Sequence, residues 1–460
     1  MKKLSFFLIS LAFFYCLVSD VYAQGDSNAL QITGYLMSDQ RILTDNAKWF
    51  WNENRLNIAM DKKLSGALDF HTQLWIRNIG FPSVHNLNML SNKHNINYLD
   101  LELREFYVKV YNFLVPNLDM TIGRQIIEWG TADKINPTSN VSPYDYEDIL
   151  DFGRKRGNEA LNLVYTFGKN KDFYLQGIWE PFFRPDNLPI YPYSQLLSFS
   201  PKSLPAMSLL AYSDSLIMPS YSLKNSIAAF KLKGFAFGTD WSLSYIYTFD
   251  GLPMPYQADY YMISPNTLNL NLKMTYYREH IIGADFSTNI FGAGFWGEAA
   301  AFIPKKDVSF SAFLHTPNPI MPLQKLADSI ILQKNKPFFK YVVGFDYNFP
   351  YDFYIHLQYV HGFTFERGAD NLNDYFFFNL DKSLFYGKLK LSPATVAFIV
   401  NDWNDIANNY VFAYFPSLVY KPVEDLELNL SGAYITAKGD QIFAKLKDWN
   451  MVQFRVKYYF

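Results

Sequence analysis

Apolar and polar residues alternate with a period of two along most of the chain. In the last segment Val452, Phe454, Val456, Tyr458 and Phe460 share one face, while Gln453, Arg455, Lys457 and Tyr459 share the other. Trp241, Leu243, Tyr245, Tyr247 and Phe249 alternate in the same way with Ser242, Ser244 and Thr248. Leu68, Phe70, Leu74 and Ile76 alternate with Asp69, His71, Gln73 and Arg77. The segments at 339–348 and 353–359 repeat the pattern. Successive strand residues point to opposite faces, so each segment reads as a β-strand with one apolar and one polar side. A water-soluble sandwich gives the same alternation, so periodicity alone leaves two fold classes open.

Read along the whole chain, the pattern predicts strands near 29–41, 52–61, 66–77, 98–113, 117–127, 158–168, 171–181, 223–235 and 239–249. Further strands are expected near 270–288, 292–303, 338–348, 352–363, 381–391, 394–401, 409–419, 424–436 and 448–460. The count is eighteen, with sixteen as the alternative. Short links, at Leu114–Pro116, Gly168–Asn170, Phe349–Tyr351, Ser392–Pro393 and Lys421–Val423, carry tight-turn residues. They alternate with long links near 78–97, 128–157, 182–222, 250–269, 304–337 and 364–380. Leu323, Leu326, Ala327, Ile330 and Ile331 recur at helical spacing, which predicts a short amphipathic helix in the 304–337 link. The 182–222 link carries Pro185, Pro189, Pro192, Pro201, Pro205 and Pro219, and is expected to fold into or over the interior.

Three further features decide between the fold classes. Lys2 and Lys3 precede an apolar stretch from Leu4 to about Val18, and Val21-Tyr22-Ala23 precedes Gln24. That is the arrangement of a secretory signal peptide over 1–23, cleaved after Ala23. A lipoprotein at Cys16 is disfavoured by Tyr15 before it, where a small residue is needed. Second, aromatics make up 18% of the chain, as belts at two membrane interfaces would require and a soluble sandwich would not. Past the signal, no apolar run is long enough for a membrane helix. Third, the alternating last strand ends on Phe460, which resembles the signal read by the outer-membrane barrel assembly machinery. The expected fold is therefore all-β, a transmembrane antiparallel β-barrel forming a single domain over 24–460. It would have long extracellular loops and short periplasmic turns, and lie in the Gram-negative outer membrane.

Leu103-Arg104-Glu105-Phe106-Tyr107-Val108 is followed by Ile122-Gly123-Arg124-Gln125, Glu128-Trp129-Gly130 and Ile135-Asn136-Pro137. This order resembles a porin-like family of Gram-negative outer-membrane barrels of undefined function, with an LREAYV strand before GRQ, WG and INP elements. Phe106 departs from the family's alanine. Gly283-Ala284-Asp285-Phe286-Ser287 with Gly297-Glu298-Ala299 is similar to that family's later hairpin. The GRQ element also resembles alginate-export barrels, the nearest alternative. The resemblance covers roughly 98–160 and 280–300, and implies a solute-conducting barrel without naming the solute.

Alternation puts Glu102 and Arg104 on the polar face of the fourth strand. Arg124 falls in the lipid-facing phase of the fifth, where a charge costs about 2–4 kcal/mol at mid-depth. A bulge at Gly123 is therefore expected to turn Arg124 inward, across from Glu102 or Glu105. Arg124, Gln125 and Glu128 would then line a constriction, or brace the wall at the root of the 128–157 loop. Trp129 and Asn136 open that loop, which either folds inward or caps the outside, and Glu298 is a further pore-lining candidate. Arg154, Lys155 and Arg156 close the loop as a basic cluster suited to lipopolysaccharide phosphates, an anionic solute or plain solvation. Basic positions slightly outnumber acidic ones on the inward faces, a weak lean toward anions.

Other chemistry is poorly provided for. Cys16 is the only cysteine and is lost with the signal, which excludes disulfides and thiol nucleophiles. The 7 histidines show no metal spacing and no triad, so no catalytic residue, metal or cofactor is expected. A net charge of −2 gives no reason to expect nucleic acid. The expected partners are outer-membrane lipids and lipopolysaccharide, the assembly machinery, a small-molecule solute and, in a homo-oligomer, further copies of the chain. The expected function is a porin-like channel for passive or facilitated solute passage, the alternative a non-conducting adhesin, assembly partner or ligand-binding barrel.

Overall fold

The computed structural model describes residues 29–197, 208–317 and 323–460. The expected signal segment lies outside the described residues. The first seven strands are β1 (Gln31–Leu43), β2 (Trp49–Ser65), β3 (Leu68–Ile79), β4 (Leu99–Val110), β5 (Leu118–Gln125), β6 (Asn158–Phe167) and β7 (Phe173–Glu180). Then come β8 (Ser208–Ile217), β9 (Ile227–Ala236), β10 (Thr239–Phe249), β11 (Met254–Ser264), β12 (Thr267–Thr275), β13 (Arg278–Ile290), β14 (Ala293–Pro304), β15 (Val308–His315) and β16 (Leu323–Gln333). The last eight are β17 (Phe338–Phe349), β18 (Phe353–His361), β19 (Asp374–Leu384), β20 (Leu389–Val400), β21 (Tyr410–Tyr414), β22 (Ser417–Val423), β23 (Leu426–Lys438) and β24 (Met451–Tyr459).

Nineteen of these segments form one sheet that closes on itself. β21 and β22 lie end to end between β20 and β23, so the wall has eighteen strands, every neighbour antiparallel. β24 returns to β1 with Tyr35 opposite Tyr459, and Phe460 exchanges both backbone hydrogen bonds with Gly34 at 2.9 and 3.1 Å. Closure leaves the ladder without an edge, which is what a sheet surrounded by lipid needs.

The two faces settle which medium surrounds the wall. Leu101, Phe106, Ile122, Leu243, Phe339 and Phe454 are exposed on the outside. Glu53, Arg77, Arg104, Glu180 and Lys340 are buried on the inside. Apolar side chains outward and charges inward is the reverse of a soluble sandwich and the pattern of a membrane-spanning barrel.

One end of the barrel carries tight turns. Phe237-Gly238 (φ 54 and 74°) and Phe291-Gly292 (φ 54 and 82°) have two positive φ values each, the geometry that suits a two-residue hairpin. The phenylalanines, with Tyr351 and Tyr386, project fully from this rim as aromatic anchors would. The other end carries the long links, and three of them build a second sheet in the order β16-β15-β11-β12-β8. It packs on Ala258, Leu270, Leu272 and Ala312.

The structure corrects four sequence expectations. The segment 323–333 is strand β16 rather than a helix, because β15 offers its ladder, though the pairing slips register at three points. The stretch 270–288 is two strands, with β12 in the outer sheet and β13 in the wall. The 182–222 and 250–269 links contain β8 and β11. The turn expected at Ser392–Pro393 lies instead at 385–388, and Pro393 sits within β20. Proline removes a ladder donor there without ending the strand: the β19–β20 register slips, so that Ser392 and Pro393 of β20 together face the single residue Asp381 of β19.

Candidate functional site

The link at 126–157, the third at the long-loop end (L3), folds into the barrel. Its start is held by short bonds. The Ile126 amide donates to Glu105 Oε1 at 2.9 Å, the Ile127 amide to Ser142 Oγ at 2.7 Å, and the Trp129 amide to Ser139 Oγ at 3.0 Å. Trp129 is buried and its indole N–H donates to Gln176 on β7 at 3.1 Å. The loop then crosses to the far wall. Thr138 donates to Glu298 on β14, and Gln358 on β18 bonds both the amide and the carbonyl of Asp133 at 3.3 Å. Gly130 has φ +95°, and a Cβ there would collide with Glu298, so only glycine lets the turn approach this closely.

On its return L3 meets a row of arginines. Arg41 on β1 binds Asp148 (2.9 Å to Oδ1), Arg77 on β3 binds Glu147 at 2.6 Å, and Arg104 on β4 binds Asp145 at 3.3 Å. Arg154, from the loop itself, binds Asp145 and Glu147, each at 2.9 Å. The ring of Trp75 sits among four guanidinium groups, with Arg55 at 3.8 Å and Arg104 at 4.0 Å, and Arg77 and Arg154 both at 5.6 Å. Burial opposes charge on Asp148, but the Arg41 guanidinium overcomes it and holds the carboxyl at about 2. Asp145 is likewise held low, by Arg154 and Arg104 against burial. Lys155 follows the opposite course. Burial pushes its ammonium down to about 7, although it donates to the Ser139 carbonyl at 2.7 Å and lies over the Tyr144 ring. The basic cluster expected to meet phosphates is thus largely turned inward.

The structure distributes the candidate residues unevenly. Glu102 and Arg104 face the lumen and pair at 3.0 Å, and Glu102 also meets Arg156 at 3.3 Å. Gln125 is buried against the wall, donating to the Ala160 carbonyl at 3.1 Å. Asn136 braces the loop, donating to the Ala132 carbonyl at 2.8 Å. Glu128 is exposed, and its charge acts on the buried Lys155 of the loop. Arg124 departs from expectation: β4–β5 and β5–β6 pair without a register shift, so it keeps the phase of exposed Ile122 and lies opposite Phe106 and Glu159. Its nearest acid is Glu159 at 3.7 Å, not Glu102 or Glu105. The bulge is one strand earlier, where Arg104 is the extra residue between Gln73 and Leu74 of β3. Gly123 does have φ +128°, but there it lets β5 lie close against Tyr107.

L3 divides the lumen without filling it. Between the loop and β18–β24 remains a cavity of about 500 Å³, bounded by Asp133, Lys134 and Ile135 of the loop and by polar wall residues such as His356, Asn379, Asn429 and Gln453. Toward the long-loop end it is roofed by aromatics. Phe152 of L3 meets Phe363 at 5.5 Å, and Phe443 packs on Phe363 at 5.3 Å. Tyr193 adds to this apolar cluster. Asp145, Glu147, Asp148 and the cavity residues were not among the sequence candidates. The only local sign was an acidic run, Asp145 to Asp148, shortly before Arg154.

A closed antiparallel wall, apolar outside, charged inside and crossed by one inward loop, defines a transmembrane β-barrel of the outer-membrane type. No protein-family model matches the chain, and no curated protein matches it by sequence. Among solved structures, it is similar to the outer membrane protein OpdK of Pseudomonas aeruginosa at 11% identity and TM-score 0.49, covering 94% of this chain and 99% of that one. OccK11 (OpdR) of the same species matches at 8% identity and TM-score 0.49, over 94% and 95% of the two chains. The outer membrane channel DcaP of Acinetobacter baumannii matches at 11% and 0.39, over 94% and 97%.

Proposed function

We propose that the protein is a porin-like channel of the Gram-negative outer membrane that passes small solutes along the cavity beside L3. The carrying observation is that cavity: about 500 Å³ of space lined by both hydrogen-bonding and apolar side chains, in a barrel whose opposite half is occupied by the docked loop. In this reading the tight turns face the periplasm and the second sheet stands outside the cell. The mature chain begins near Gln24, and Phe460 is read by the assembly machinery. Lipids and lipopolysaccharide surround the wall, and further copies of the chain are compatible neighbours. Glu102, Arg104, Trp129, Asn136 and Glu298 act here by fixing L3, and so set the pore's width without touching the solute.

A second reading, a non-conducting ligand-binding barrel, is favoured by the aromatic roof of Phe152, Phe363 and Phe443. Single-channel recording from the refolded protein in a planar bilayer separates the two. Discrete current steps support the channel, and silence from a folded barrel supports the alternative.

A further inference from the structure

The cavity has a definite chemical character. Its charged groups cancel: Asp381 is paired with Lys390 at 2.7 Å and accepts from Ser392 at 2.6 Å, and Asp133 is followed directly by Lys134. Gln453, which donates to Asp39 at 2.8 Å, presents an acid already shared by Arg41 and Arg455. An ion entering this space would meet no net counter-charge, and burying an unpaired charge is costly. The neutral polar groups are different. His356 Nε2 and Asn429 Oδ1 are buried in the wall with no hydrogen-bond partner. A buried polar atom left so costs about 1–3 kcal/mol, which a donor or acceptor on an entering molecule would relieve. The same cavity has an apolar side, formed by Phe377, Phe415, Ile135 and Leu150.

We infer that this cavity is a binding station for an uncharged polyhydroxylated solute of hexose to disaccharide size, which bonds His356 and Asn429 through its hydroxyl edge and lays its C–H face on Phe377 and Phe415. The inference rests on the channel reading above and names its substrate class. A solute with hydroxyl edges and apolar faces satisfies both sides of the cavity at once. Its volume lies within the roughly 300–1,000 Å³ of small-molecule sites.

The test is ion current through the refolded protein in a planar bilayer, titrated with glucose, maltose, sodium benzoate and sodium glutamate. Saturable block by the sugars and none by the two anions is expected. His356→Phe and Asn429→Leu should each weaken the block at least tenfold, in protein that keeps the electrophoretic mobility of a folded barrel. Asn379→Ala serves as a third variant if either fails to fold. Current that flows without sugar block, or block by benzoate instead, overturns the inference and leaves the channel standing. Tryptophan fluorescence covers a silent barrel, because Trp296 stacks on His356 at 5.3 Å between centroids. A saturable maltose signal without current keeps the site and overturns the channel. Absence of both block and signal overturns the site.

Discussion

Substituting Asp148→Asn should loosen L3 from the wall. The residue is wholly enclosed and binds Arg41, which also holds Asp39 and the Tyr193 hydroxyl, the latter at 2.7 Å. Its carboxyl titrates at about 2 in place of the ordinary 3.8. At ~1.4 kcal/mol per pH unit, the docked loop favours the charged form by about 2.5 kcal/mol, roughly sixty-fold in the docking equilibrium. Removing one partner of a buried pair can cost more, about 3–5 kcal/mol. The pH dependence follows in sign: a depressed carboxyl stabilises docking fully above about pH 4, and that contribution fades as pH falls toward 2. Trypsin gives the readout, since Arg154, Lys155 and Arg156 are largely shielded while L3 is docked, and cleavage of a transiently opened segment tracks its open population. Cleavage at these sites in the folded Asp148→Asn protein should rise by tens of fold at neutral pH. Single-channel current should grow both in that variant and in the parent protein taken below pH 4. Cleavage and current unchanged in both experiments would refute the account of L3 as held by its acids.

Other substitutions probe neighbouring claims. Trp75→Leu removes the surface on which Arg55 and Arg104 lie, at about 0.5–2 kcal/mol per stacked cation, and should lower the temperature at which the barrel loses its folded mobility. Trp75→Phe should restore part of it. Arg124→Ala should leave conductance and ion selectivity unchanged, because its ion pair with Glu159 lies in the outward phase of the wall; a selectivity change would place the side chain inside. Gly344→Ala drives a methyl into the Trp296 indole and should cost about 1–3 kcal/mol, read as a lower refolding yield.

The wall was legible in the sequence because strand alternation is local: each eight-residue window carries its own phase, and the two-faced pattern survives small errors in the ends. What failed depended on partners distant in the chain. Leu323 to Ile331 carries helical spacing, and only the presence of β15 makes it a strand. The bulge at Arg104 leaves no trace, since Arg104 and Glu105 are both polar and either could point inward. Gly123 drew attention because glycine often marks a kink, yet its freedom serves a close approach. The acids of L3 meet arginines 107 and 70 residues earlier, at Arg41 and Arg77, and no local pattern pairs them. The inward course of the third loop was one of two expectations; its clasp was outside both.

Two of the prolines in the wall have a mechanical meaning. Between β20 and its neighbour the ladder stops after Ser392 and resumes at Val396, with Pro393 on one strand and Pro416 on the other, bridged by the Phe415 amide to the Thr395 carbonyl at 2.8 Å. The nearby β18–β19 and β23–β24 ladders run without a break and resist deformation through a continuous net of bonds. At this seam the wall's stiffness drops, and the seam borders the cavity, since Thr395, Phe415 and Ser417 all line it. The barrel therefore has an elastic panel at the height of the proposed solute site. The cavity's girth can yield there through the wall itself, with L3 still fastened on the opposite side.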